Sequence, residues 1–155
     1  MLGRRGEQKL SHVFISYVHE NRVAVDQLAK ELRDNGVTVW LDRDDIEPGA
    51  RWKDAIKKAI QSGTFFIVCF SKESNKRDST QMGEEIVLAI DELRLRPLDR
   101  KWFIPVLVNE TTIPPYYISS VYNLSDIQAI KLSEDWDAGV TRILRVLKPL
   151  SRIRP

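Results

Sequence analysis

The chain has 155 residues, 43% apolar and 30% charged, with a formal net charge of +2. That length suits one domain that buries roughly two-thirds of its unfolded surface, and the charge is too small to argue for a nucleic-acid or acidic-membrane partner. A single cysteine, Cys69, excludes a disulfide framework and a thiolate metal site, which suits a reducing, cytoplasmic compartment.

Residues 1–11 are polar and charged, without the apolar core of a signal peptide, and read as an N-terminal extension. No apolar run approaches a membrane span. His12–Tyr17 is a short apolar strand, after which Val25, Leu28, Ala29 and Leu32 recur at helical spacing up to an Asn35-Gly36 stop. Val37–Leu41 is a second strand. It empties into the acidic stretch Asp42-Arg43-Asp44-Asp45-Ile46-Glu47, broken at Pro48-Gly49. Open parallel sheets hold ligands and partners at such a carboxyl edge.

A second helix carries Trp52, Ile56, Ala59 and Ile60 on one face and ends at Ser62-Gly63. Phe65–Phe70 is apolar throughout, as a central strand covered on both faces should be, and Cys69 within it reads as an inert core residue. Ser71–Thr80 is polar, and Asp78 or Ser79 could cap a third helix running to about Leu93. Trp102–Val108 is a fourth strand, and Pro114-Pro115 breaks an irregular segment after it. Gln128–Ile130 reads as a short edge strand, and Trp136, Val140, Ile143, Leu144 and Leu147 mark a final helix. The folded unit spans 12–148, and 149–155 is a tail or the start of a linker. Alternation of this kind predicts an α/β fold, a parallel sheet with helices on both faces.

Two doubly wound folds fail on their motifs. A dinucleotide-binding domain needs glycines after strand one, where this chain has Tyr17-Val18-His19-Glu20-Asn21. A phosphoacceptor receiver needs an aspartate ending strand three, where Phe70-Ser71 stands.

A third pattern fits in order and spacing. Phe14-Ile15-Ser16-Tyr17, Trp40-Leu41-Asp42, Glu47-Pro48-Gly49 with Trp52, and Phe70-Ser71 together resemble the TIR (Toll/interleukin-1 receptor) domain family, from about His12 to Leu147. The resemblance implies a flavodoxin-like three-layer sandwich around a five-stranded parallel sheet. Some members are scaffolds that signal by homotypic association. Others cleave the nicotinamide–ribose bond of NAD+ and carry a glutamate on the third helix, commonly as Trp-x-x-x-Glu. Here that segment is Gln81-Met82-Gly83-Glu84-Glu85-Ile86, so Glu85 takes the glutamate position and Gln81 replaces the tryptophan.

Helix geometry separates the adjacent acids. Met82, Ile86, Ala89, Ile90 and Leu93 define an apolar arc. At about 100° per residue Glu84 points roughly 170° from its centre, into solvent, and Glu85 about 90°, at the margin of the core. A catalytic carboxylate belongs at such a margin. A solvated surface acid would sit there too.

The resemblance also implies substrate-binding positions at the same edge: Tyr17, Val18 and His19 after strand one, Asp42, Trp52, Ser71 and Gln81. Enzymatic relatives often have a basic residue where Val18 stands, so His19 is either its substitute or an exposed loop residue. Trp52 is either core packing or a stacking platform, and Ser71 either a hydroxyl contact or a cap. Asp44, Asp45, Ile46, Glu47, Pro48 and Gly49 form the loop expected to meet a neighbouring domain.

The expected activity is that of a bacterial-type NAD+ nucleosidase. It would release nicotinamide and ADP-ribose, or a cyclic ADP-ribose isomer, when self-assembled in an immune response. NAD+ is the substrate, and no cofactor or metal is required. Other TIR domains are the expected partners, with a fused or associated sensor domain. The alternative is a non-enzymatic TIR scaffold, or a decoy of host signalling, which Gln81 and Val18 favour.

Overall fold

Apolar side chains on both faces of a strand need cover on both sides, and the chain supplies it by alternating strand and helix. A computed structural model describes residues 12–41, 45–76, 81–96, 101–120 and 122–147, the side chains of Gln81, Met82 and Tyr122 excepted. The order is β1 (His12–Ser16), α1 (Arg22–Asp34), β2 (Thr38–Trp40), α2 (Trp52–Gln61), β3 (Phe65–Phe70) and a one-turn α3 (Lys72–Asn75). There follow α4 (Gln81–Leu95), β4 (Phe103–Leu107), the strands β5 (Tyr117–Ser119) and β6 (Tyr122–Asn123), β7 (Ile130–Lys131) and α5 (Trp136–Leu147).

Five strands form one parallel sheet in the order β2-β1-β3-β4-β7. Period-two alternation sorts their side chains into two cores. Phe14, Phe66, Val68 and Phe103 face α2 and α4, meeting Ile56, Ile60, Ala89 and Leu93. Val13, Ile15, Ile67 and Ile104 face α1 and α5, meeting Leu28, Leu32, Val140 and Ile143. The rings of Phe14, Phe66 and Phe103 stack across three neighbouring strands, with centroids 5.4 and 6.3 Å apart. This is the three-layer, five-stranded parallel architecture expected from the sequence.

Gly139 brings α5 onto the sheet edge. A Cβ there would lie 2.6 Å from Leu132 Cδ2 and 3.3 Å from Ile130 Cγ2, so the helix approaches β7 only because the side chain is missing. Trp136 Nε1 donates to Glu31 Oε2 at 2.9 Å and ties α5 to α1.

Two local expectations are refined, and a third lies outside the described residues. The polar segment after β3 contains α3, because Ser71 and Ser74 cap each other reciprocally. The expected cap of the next helix, Asp78 or Ser79, lies outside the described residues. The segment around Pro114-Pro115 is not wholly irregular. It carries β5 and β6, paired antiparallel and held by Arg94 of α4, which donates to the carbonyls of Tyr117 and Ile118. Those partners lie more than 20 residues away in sequence, beyond any local pattern.

Candidate functional site at the carboxyl edge of the sheet

From β1 the chain passes to β2 on one side, then returns to β3 on the other, so strand order reverses between β1 and β3. Crevices at such switch points are where α/β folds hold ligands. Ser16 is the last residue of β1 and shares its face with Phe14, the face covered by α4. Glu85 lies in the first half of α4, over that strand end. Ser16 Oγ donates to Glu85 Oε1 at 2.5 Å, joining residues 69 apart.

Both groups are enclosed, Ser16 being 1% and Glu85 3% exposed. Glu84 is exposed, as helix geometry predicts. Glu85 departs from the expected margin and is buried. The helical arc counts only the helix's own apolar residues, whereas β1 ends in a hydroxyl beneath position 85, so a polar side chain can turn inward there.

The other positions divide. Tyr17 is half-buried and His19 exposed, the latter in a 3-10 turn over His19–Asn21. Val18, read as a pocket residue, is instead part of the core that holds Phe14 and Ile86, because its apolar side chain turns in beneath the loop. Trp52 is half-buried against the same core, with Lys53 Nζ 5.6 Å from its ring centroid. Ser71 is fully buried and acts as the cap of α3, its Oγ accepting from Ser74 N at 2.9 Å. Gln81 opens α4, and its side chain lies outside the described residues, as do Asp42 and Asp44.

Within the expected assembly loop, Asp45 Oδ2 accepts from the amide of Leu41 at 2.6 Å, so this acid closes the loop back on its own strand. Ile46 packs against the core, while Glu47, Pro48 and Gly49 are exposed. Pro48-Gly49 forms a tight turn, with Ala50 N donating to Glu47 O at 3.1 Å and Gly49 at φ +89°. Proline followed by a left-handed glycine is the type II pattern.

Sequence reading missed a second polar cluster at this edge. Glu73 Oε1 accepts from Asn109 Nδ2 at 3.0 Å and from Asn21 Nδ2 at 3.3 Å, gathering the loops after β4, β3 and β1. Its own backbone amide, then Asn109 and Asn21, hold the Glu73 carboxyl below the usual carboxylate value. The only sequence signal for Ser16 was a hydroxyl ending an apolar run. For Asn21, Glu73 and Asn109 there was none, since their contacts span 52 and 36 residues.

Burial pushes the Cys69 thiol up to about 12, so it stays a neutral core group. Among the described residues no cluster of histidine, cysteine or acid could hold a metal, and no helix is long and apolar enough to cross a membrane.

No curated protein matches the sequence. Among the solved structures that share the fold are two at 23% identity over 89% of this chain. One is a metazoan TIR-STING receptor from C. gigas in complex with 2',3'-cGAMP, with a TM-score of 0.64 and 40% of that chain covered. The other is a prokaryotic SEFIR domain, with a TM-score of 0.56 and 99% of that chain covered. This chain therefore spans less than half the length of the receptor it matches. The family model described as TIR domain matches residues 13–144, from β1 into α5. That span includes every strand of the sheet and the helix that carries Glu85, and on it the chain belongs to the TIR domain family.

Proposed function

We propose that this TIR domain cleaves the nicotinamide–ribose bond of NAD+, with Glu85 as the essential carboxylate and assembly as the trigger. One observation carries the reading: Glu85 is turned inward at the switch point, where Ser16 holds it. A buried acid is expensive, and such positions concentrate at functional sites. In the reaction, the N-glycosidic bond breaks and its electron pair leaves with the nicotinamide nitrogen, neutralising the pyridinium. The ribose carbon left behind is cationic, and an ionised carboxylate beside it stabilises that charge. Water adds to this carbon and loses a proton to give ADP-ribose, while capture by a nucleophile of the same molecule gives a cyclic isomer.

Since Glu85 is enclosed in the single chain, association with neighbouring TIR domains must open the edge and release it from Ser16. Bacterial immune defence is the setting that suits such a switch, with clustering by a fused or associated sensor as the signal.

The second reading is a non-enzymatic scaffold or decoy. It is favoured by the same enclosure, because a carboxylate 3% exposed also serves as a structural partner of β1. NAD+ loss and nicotinamide release by clustered protein decide between them. Under the enzymatic reading Glu85→Gln and Glu85→Ala lower turnover by about 100-fold or more, with the circular dichroism of folded protein retained. Unchanged turnover in Glu85→Ala removes Glu85 from the chemistry. No turnover in a demonstrably assembled wild-type sample makes the scaffold the function.

A further inference from the structure

At the amino edge of the sheet, opposite Ser16 and Glu85, the strand starts frame a cleft of about 810 Å³. Phe65, Phe103 and Ile130, the first residues of β3, β4 and β7, form its apolar floor with Ile127 and Val146. Phe65, Ile127 and Val146 remain partly open to solvent, so this apolar surface is only half covered by the fold. Three cations stand around it: Lys101 before β4, and Arg142 and Arg145 one turn apart on α5. Among the described residues no acid lines the cleft. Elsewhere on the surface cations pair with nearby acids, as in Arg22–Asp26 and Lys131–Glu134. Among the described residues Lys101, Arg142 and Arg145 have no ion-pair or hydrogen-bond partner.

We propose that this cleft binds a small amphipathic organic anion, an apolar body carrying one carboxylate, sulfonate or phosphate. Size supports a small molecule, since ligand pockets run from roughly 300 to 1,000 Å³. Ten of the described residues line the cleft, against the roughly 20–30 a side of a stable protein interface. The apolar floor supplies affinity by losing its water. The cations select the charge and orient it toward the rim, where the like-signed cluster raises the local potential. A plain inorganic anion would gain little, because exposed charge pairs are weak alone. The site lies at the far edge from Glu85, so it is separate from the NAD+-cleaving reading and stands or falls without it.

The test is fluorescence titration of the whole chain with anilinonaphthalene sulfonate, followed by competition. We expect saturable binding of one probe per chain, displaced by decanoate but not by decanol or inorganic phosphate at the same concentration. The double variant Arg142→Glu/Arg145→Glu should weaken the probe by about tenfold or more, with native circular dichroism retained. A single Lys101→Gln change, which leaves α5 untouched, should weaken it by a smaller factor in the same direction. Wild-type affinity in both variants overturns the proposal, as does equal displacement by decanol. So does a wild type that binds no probe but changes oligomeric state on the Arg142→Glu/Arg145→Glu substitution, which would make the cleft a contact between copies of this chain.

Discussion

A carboxylate enclosed to 3% exposure must be met by donors, and at Glu85 one of them is the Ser16 hydroxyl at 2.5 Å. Ser16→Ala removes that donor from a site with almost no access to water. We expect it to cost about 1–3 kcal/mol of stability, read as a lowered urea midpoint with an unchanged slope. An unchanged midpoint would mean the hydroxyl contributes nothing net. That Glu84 faces solvent while Glu85 turns toward the core was legible in the sequence, because their directions differ by one helical step. Its burial was not, because the answer depends on which residue ends β1 beneath it.

Along α4 the same stripe carries a second acid. Glu92 follows Glu85 by seven residues, about two turns, and points within roughly 20° of it. Glu92 is 1% exposed, and among the described residues neither of its carboxylate oxygens has a hydrogen-bond partner. Trp102 Nε1, in the same buried layer, likewise has no partner among the described residues. A buried carboxyl group without partners opposes folding, and an apolar side chain of similar volume removes that cost. Glu92→Leu is therefore expected to stabilise the chain by about 1–3 kcal/mol, measured by urea unfolding. A loss of stability would show that Glu92 has a polar partner in solution. Helical periodicity located α4 well, yet a stripe of Glu85, Ala89 and Glu92 facing the sheet contradicts the rule that acids face outward. Polar groups placed against local pattern in this way concentrate where function or strain resides.

For the whole molecule, the carboxyl edge is tied shut from three loops at once through Glu73, while the loop after β2 is closed on itself by Asp45. Glu47, Pro48 and Gly49 are left exposed beside that closed edge, and the proposed reading makes them the place where a second TIR domain docks. If association opens the edge, activity is a population shift and must depend on assembly. Per-chain NAD+ turnover should rise by about tenfold or more between dispersed and artificially clustered protein, followed by nicotinamide release. Turnover strictly proportional to protein concentration would break the link between assembly and Glu85.

Sequence alone determined the layers of this protein. Strand and helix periods, the apolar run Phe65–Phe70 and the turn residues Asn35-Gly36 and Pro48-Gly49 are local signals, read over a few neighbours, and they place the long helices and all five strands, with the edge strand shifted from the expected Gln128–Ile130 to Ile130–Lys131. Motif order from Phe14 to Ser71 pointed to the TIR family, which the match over residues 13–144 bears out. Tertiary structure decided what those layers bring together: Ser16 with Glu85, Asn21 and Asn109 with Glu73, Arg94 with the β5–β6 pair, and three cations around the amino-edge cleft. The physical reason is distance along the chain. A period reports which way a side chain leaves its own element, but what it meets is set by the element packed opposite.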